Sequence, residues 1–361
     1  MNRLPIENLR PTDPKFWSTS LPLKTCQKLI TTFSCSIDGK RVRRRNPPSP
    51  NKKRHKHIRL ITIGPSHYCE KVRWALDMLD DNHHDMSCPI YYTEDAHPPV
   101  FQSLSSLQAS RGQASMVPMV VYRADTESGN GKEEEEVMHD SKQIVRHFCP
   151  FLYPASQAKE IRKLEDYFGS QIGATARCYT YSLMLHPKYS ISLAKLLTAQ
   201  SSTIEKILWI RLLNQGLGYG MRKVMGINSK SAEESLKTIR RVFGEVSEML
   251  QFQDGTRKKF IMDSEGEDVG FTAADLTFCA MASAVIHPPE LKLFLPLEDH
   301  EYPPELMSLR DELRMTVAGQ HVLEIYKNRR RNVVPKVVNN DRVPWKEVIA
   351  LGAGSYGLSK L

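Results

Sequence analysis

Three side chains able to do polar or thiol chemistry stand together at one point of the chain: Ser66, His67 and Cys69. They follow an apolar, β-prone run, Leu60-Ile61-Thr62-Ile63, and the breakers Gly64 and Pro65. Beyond them Val72, Ala75, Leu76 and Leu79 recur at helical spacing. The pattern predicts strand, tight turn, helix, with the polar group at the junction. A helix N-terminus offers unpaired N–H groups and the positive end of the peptide dipole. That suits an anion such as a thiolate. The plain alternatives are an N-cap serine at Ser66 and a small buried apolar residue at Cys69.

The elements that would position this group form an α/β unit over residues 58–150. A first strand is predicted over 58–63 and the first helix over 66–79. Ile90, Tyr91, Tyr92 and Thr93 are β-branched or aromatic and predict a second strand. A short helix or turn follows over 100–109. A third strand, 117–122, opens with Pro118, where a missing N–H is tolerated. Residues 125–136 end in four glutamates and read as an exposed hairpin loop, with Val137-Met138 as a short fourth strand. Asp140 or Ser141 caps a helix through Ile144, Val145 and Phe148, and Cys149-Pro150 stops it.

From 157 to about 331 the chain reads as helical. Ile161, Leu164, Tyr167, Phe168, Ile172 and Ala176 make one apolar stripe. Further helices are predicted over 204–213, 236–250, 271–286, 306–314 and 318–330. Thr272 and Asp275 have capping-box spacing, with Asp in place of the usual Glu or Gln.

A chain of 361 residues, 40% hydrophobic and 25% charged, suits a soluble protein of two domains with tails. No apolar run approaches the roughly 18 residues of a membrane helix. The net charge of +9 is unevenly placed. Residues 1–59 hold fifteen Lys/Arg and three Asp/Glu, or +12, which leaves 9 − 12 = −3 for the rest. Residues 1–57 read as a disordered basic tail, because like charges repel and Pro47, Pro48 and Pro50 bar regular structure. Its functional readings are nuclear import, contact with a nucleic-acid backbone, or organelle import, which Glu7 and Asp13 oppose. Residues 332–361 read as a weakly ordered C-terminal tail. Seven cysteines, an odd number without C-x-x-C spacing, indicate a reduced compartment, hence a cytoplasmic expectation. His83-His84 with Cys88 lacks a second ligand pair, so no metal is expected. Gly352-Ala353-Gly354-Ser355-Tyr356-Gly357 has no βαβ unit behind it, so no nucleotide is expected.

Four motifs in order give the chain from about 58 to 330 a resemblance to the cytosolic glutathione S-transferase superfamily. Ser66 to Leu76 looks like that family's first turn and helix. Met116-Val117-Pro118 looks like its cis-proline segment. Asp140-Ser141 followed by Ile144 looks like its acidic-Ser motif. Phe271 to Thr277 looks like the helix-capping motif of its C-terminal domain. The resemblance implies a thioredoxin-like domain over 58–150 and an all-helical domain over 157–331.

It also implies glutathione as co-substrate and a transferase conjugating its thiolate to a hydrophobic electrophile, a detoxification chemistry, in a homodimer. Ser66 would face the sulfur and stabilise the thiolate. Val117 and Pro118 would pair with the cysteinyl unit, and Asp140 and Ser141 would hold the γ-glutamyl end. Thr272 and Asp275 would be structural. The acceptor would lie between the domains, near Tyr167, Arg177 and Tyr181, with segment 186–230 enlarging or covering the pocket. Two alternatives stand beside this: a glutathione-dependent thiol oxidoreductase using Cys69, and a non-enzymatic binding or scaffold protein of the same fold.

Overall fold

A computed structural model describes residues 56–81, 90–123, 135–212, 216–330 and 333–337. The basic tail up to residue 55, His83-His84, Cys26, Cys35, Cys88 and the glycine motif at 352–357 lie outside the described residues. Strand β1 (Lys56–Thr62) is the centre of a four-stranded sheet of order β2-β1-β3-β4. Its Ile58, Leu60 and Ile61 are fully buried, which fits an inner strand covered on both faces. It begins two residues earlier than the sequence indicated. His57 joins the sheet, its imidazole Nε2 beside Thr93 Oγ1 at 3.1 Å. β2 (Ile90–Ala96) pairs with β1 in parallel, so helix α1 (His67–Asp81) serves as the crossover. Helix α2 (Phe101–Ala109) leads to β3 (Met119–Arg123), which runs antiparallel to β1.

β4 (Glu135–His139) is longer than the predicted Val137-Met138 strand and includes Glu135 and Glu136. As the edge strand it can carry exposed carboxylates, and Tyr122 Oη donates to Glu136 Oε2 at 2.7 Å. Helix α3 (Ser141–Phe148) follows directly.

The second domain begins with α4 (Ala158–Phe168), which runs through a wide π turn at Gly169–Gly173 into α5 (Ala174–Met184). Three shorter helices follow: α6 (Ser190–Leu197), α7 (Thr203–Leu212) and α8 (Gly218–Val224). α9 (Ser229–Met249) is the longest, and α11 (Pro304–Arg314) and α12 (Val317–Arg329) close the bundle. Between them α10 (Ala273–Ile286) is buried on every side except at Ala284. It packs against α1 and α4 and joins the two domains in one hydrophobic core. A helix apolar all round belongs in such a position.

Residues 333–337 are not a free tail. Glu94 N–H donates to Lys336 O at 2.9 Å, and Val337 bridges Glu94 in parallel along the outer edge of β2. The ammonium of Lys336 lies 2.9 Å from Asp77 and over the Tyr92 ring.

Candidate functional site

The candidate site lies where three segments leave one end of the sheet. Met119 pairs with Ile61 on one side and His139 on the other, so the three share a row. Just past that row come the turn 63–66, the Val117–Pro118 peptide and Asp140. The sheet register thus gathers residues that are far apart in sequence. The Val117–Pro118 bond is cis, Val117 is half-buried and Pro118 buried.

Ser66 is the N-cap of α1. Its Oγ accepts from Cys69 N–H at 3.4 Å, and its own N–H donates to Ile63 O at 3.0 Å. A hydroxyl that accepts from a helix N–H still has its O–H to donate. The capping role and hydrogen bonding to an anion are therefore compatible, and the side chain is half-buried rather than sealed.

Asp140 caps α3, its Oδ1 accepting from Lys142 N–H at 3.0 Å. Its backbone sits at φ 75° and ψ 118°, a positive-φ conformation that a non-glycine residue adopts at a cost of about 1–3 kcal/mol. Such strain persists where surrounding structure dictates it, often at ligand clamps. Ser141 follows as a 6% exposed first helical residue.

A guanidinium underlies the turn. Arg73, fully buried, donates to Gly64 O at 2.9 Å and to Glu94 Oε1 at 2.7 Å, and lies 4.2 Å over the Phe294 ring. Thr62 Oγ1 donates to the same carboxylate oxygen at 2.6 Å. Glu70 lies 3.5 Å from Arg73 and accepts from Arg330 Nε, and Arg330 reaches Asp77 at 2.7 Å. Buried charges survive in this way, each paired and hydrogen-bonded. A second set, Lys71, Arg146 and Tyr153 around buried Glu165, ties α1 and α3 to α4. Sequence reading missed both networks, although Glu70, Lys71 and Arg73 on an otherwise apolar helix were a visible sign of them.

The opposite wall comes from the helical domain. His67 Nε2 lies 2.9 Å from Gly173 O, and Tyr68 Oη donates to Gly169 O at 2.8 Å. Both acceptors belong to the π turn, where the carbonyls are displaced from the regular helical ladder. His67 and Tyr68 thus dock α1 onto the helical domain. Burial, with Arg177 nearby, pushes His67 down to about 3, so the imidazole is neutral. Burial raises the Tyr68 phenol. Gly173, Arg177 and Tyr181 are spaced by four and share one face of α5.

Cys69 is buried to 0% exposure, and burial raises its thiol above the usual range despite Arg73 and Ser66 pulling the other way. A soluble disulfide cannot reach it, and it is poor as a thiolate. Tyr167 does not join Arg177 and Tyr181. Its phenol bonds Glu245 on α9, which Arg241 also holds.

Segment 186–230 meets the site from the side. The Gln200 carboxamide sits against Gly64, in the space a Cβ there would need, and Gln200 Nε2 donates to Leu293 O. His97 Nδ1 lies 2.6 Å from Glu205 on α7, while Nε2 lies 2.9 Å from Asp95 as a poorly aligned ion pair. These contacts set the segment against the turn that presents Ser66.

Thr272 and Asp275 form a reciprocal capping box on α10, with Oγ1 accepting from Ala274 N–H and Asp275 accepting from Thr272 N–H. Asp275 also accepts from Ile261 N–H at 2.8 Å, so it fastens a loop as well as a helix. Among the described residues no group of three or more His, Cys, Asp or Glu is placed to hold a metal ion, and no helix is long and apolar enough to cross a membrane.

No family profile matches the sequence, and no curated protein matches it. Similar solved structures include Ure2p5 from Phanerochaete chrysosporium, cocrystallized with 1-(S-glutathionyl)-2,4-dinitrobenzene. It is 14% identical over 78% of this chain and 100% of its own, with TM-score 0.38. A glutathione transferase from Pseudomonas putida with glutathione disulfide bound is 11% identical over 77% and 94%, with TM-score 0.36. A maleylacetoacetate isomerase from Anaeromyxobacter dehalogenans with bound glutathione is 14% identical over 76% and 97%, with TM-score 0.35. The β2-β1-β3-β4 sheet with its parallel β1–β2 crossover, followed by helices alone, is a thioredoxin-like sheet topology joined to an all-helical domain.

Proposed function

We propose that this protein binds glutathione at the end of the sheet and transfers its thiolate to an electrophile held between the domains. The observation that carries the reading is the shared row of Ile61, Met119 and His139, which brings Ser66, cis-Pro118 and strained Asp140 to one place. The extended backbone beside Val117 would pair with the cysteinyl unit of the tripeptide. The Asp140 carboxylate would meet the γ-glutamyl ammonium, and the N-terminal N–H groups of α3 its carboxylate. Ser66 Oγ–H, with the α1 dipole, would lower the thiol pKa and so raise the fraction of the nucleophilic anion. A thioredoxin-type exchange through Cys69 has no support in its burial.

Calorimetric titration with glutathione, together with turnover of 1-chloro-2,4-dinitrobenzene, tests the reading. Wild type should bind and turn over. In Ser66→Ala, binding should persist while turnover falls about tenfold or more, since a hydrogen bond to a charged group contributes ~1.5–3 kcal/mol. Absence of any heat with glutathione in the wild type would sink the proposal, and unchanged turnover in Ser66→Ala would remove Ser66 from its role.

A further inference from the structure

Most arginines of the helical domain are engaged: Arg240, Arg241, Arg257 and Arg310 each hold a carboxylate, and Arg222 and Arg314 hold backbone carbonyls. Arg177, like Arg162 and Arg329, lies over a ring instead, and of these three it is the one beside the first turn of α1. Arg177 is exposed, its guanidinium lies 5.9 Å from the Tyr68 ring, and its charge reaches His67 and Tyr181. Its position is fixed by what lies a turn away on the same face. Gly173 touches His67 and Tyr68 at the start of α1, and half-buried Tyr181 lies one turn beyond. Arg177 therefore stands at the mouth between the two domains, on the wall facing the first turn of α1.

No carboxylate is ion-paired with it among the described residues, and His67 is neutral. Asp140 acts on Tyr68 as well, with its carboxylate at the α3 N-terminus. A planar guanidinium over one phenol ring, with a second phenol a turn away and its solvent side open, can take a carboxylate bidentately. The rings supply an apolar bed for the rest of such a molecule.

We propose that Arg177 is a specificity-determining residue that selects acceptors carrying a carboxylate. It binds that group and turns the electrophilic carbon toward the thiol end at Ser66. This rests on the glutathione reading above. With an aryl chloride acceptor, the glutathione sulfur forms a C–S bond to the carbon bearing chlorine. The C–Cl bond breaks, chloride leaves with the bonding pair, and the thiol proton passes to water. No oxidant or reductant takes part, and Arg177 holds the spectator carboxylate throughout.

The test uses 4-chloro-3,5-dinitrobenzoate, its neutral methyl ester and the two corresponding glutathione conjugates. Kd for the conjugates is measured by calorimetry and KM for the acceptors by absorbance, on the full chain. Wild type should prefer the carboxylate about tenfold over the ester in both measures. Arg177→Gln should abolish that preference by weakening the carboxylate compounds alone, and Arg177→Lys should keep most of it. The same carboxylate preference in wild type and Arg177→Gln would overturn the proposal, as would an equal loss for both compounds. If glutathione binds but the ratio is unity, this proposal fails and the glutathione reading survives. If glutathione and both conjugates fail to bind while 4-chloro-3,5-dinitrobenzoate alone binds in an Arg177-dependent way, the anion site stands and the glutathione reading falls. If nothing binds, both fall.

Discussion

Gly169 and Gly173 bound the same wide turn, yet a methyl group would meet opposite surroundings at the two positions. At Gly173 a Cβ would fall 2.7 Å from Met281 Sδ and 2.7 Å from Tyr68 Cζ, closer than real contacts allow. At Gly169 it would meet nothing within 4 Å, in a backbone that is already helical. Gly173→Ala should therefore destabilise by about 1–3 kcal/mol through overpacking. Gly169→Ala should be neutral or stabilising by up to ~1 kcal/mol. Urea unfolding of the two variants checks this, and equal effects would contradict the close approach of α1 to the turn. Tyr68 and Met281 resist displacement, Tyr68 because its phenol is tied to Gly169 O and Met281 because α10 is packed on all sides.

At the scale of elements, residues 333–337 offer a direct measurement. The Glu94 amide has its partner in Lys336 O, so a chain ending at Arg330 should expose that amide. Hydrogen exchange at Glu94 should speed up in the truncated chain, while Leu60 and Val120, paired in the sheet interior, keep their protection. Unchanged protection at Glu94 would mean the edge pairing is not made. This segment also shows where the sequence was silent. Val333, Val334 and Val337 interleaved with Pro335 and Lys336 carry no clear alternation, and only the waiting edge of β2 gives them a place. Motif-bearing elements were readable because each contains its own local cause: the breakers at Gly64-Pro65, the proline at 118, the capping box at Thr272 and Asp275. The Arg73 and Glu165 networks were not readable in full, because partners come from other elements: Glu94 lies 21 residues from Arg73, and Glu165 lies 94 residues from Lys71. Segment 186–230 was visible only as extra length, since its contacts with Gly64, Leu293 and His97 are all long-range. The resemblance put Tyr167 and Arg177 together at the acceptor site, whereas the Tyr167 phenol bonds Glu245 on α9.

For the molecule as a whole, His97 joins the sheet to α7 and gives a pH signature. Burial opposes charge on His97, but the Glu205 hydrogen bond and the Asp95 and Glu205 charges outweigh it and lift its pKa from the ordinary 6.5 to about 10. A group whose folded pKa is raised contributes stability that is complete below its unfolded value and is lost as pH climbs through the folded one. The contribution should therefore be full below pH 6.5 and fade between 6.5 and about 10. Thermal melts across that window should show a steeper decline for wild type than for His97→Gln, and parallel curves would refute the pairing. The effect should concentrate on α7 and the end of β2, because these are what the pair holds together.

The docking of 333–337 has a further bearing on how molecules meet one another. An open sheet has two bare flanks, and each invites a strand from a neighbouring copy. Here the β4 flank carries exposed Glu135 and Glu136, which disfavours pairing two such flanks, and the β2 flank is met at Glu94 by residues 333–337. The two edges of this sheet thus differ in kind, one carrying charge and one partly covered by the pairing of Val337 with Glu94. Only the second can be undone by removing residues 333–337.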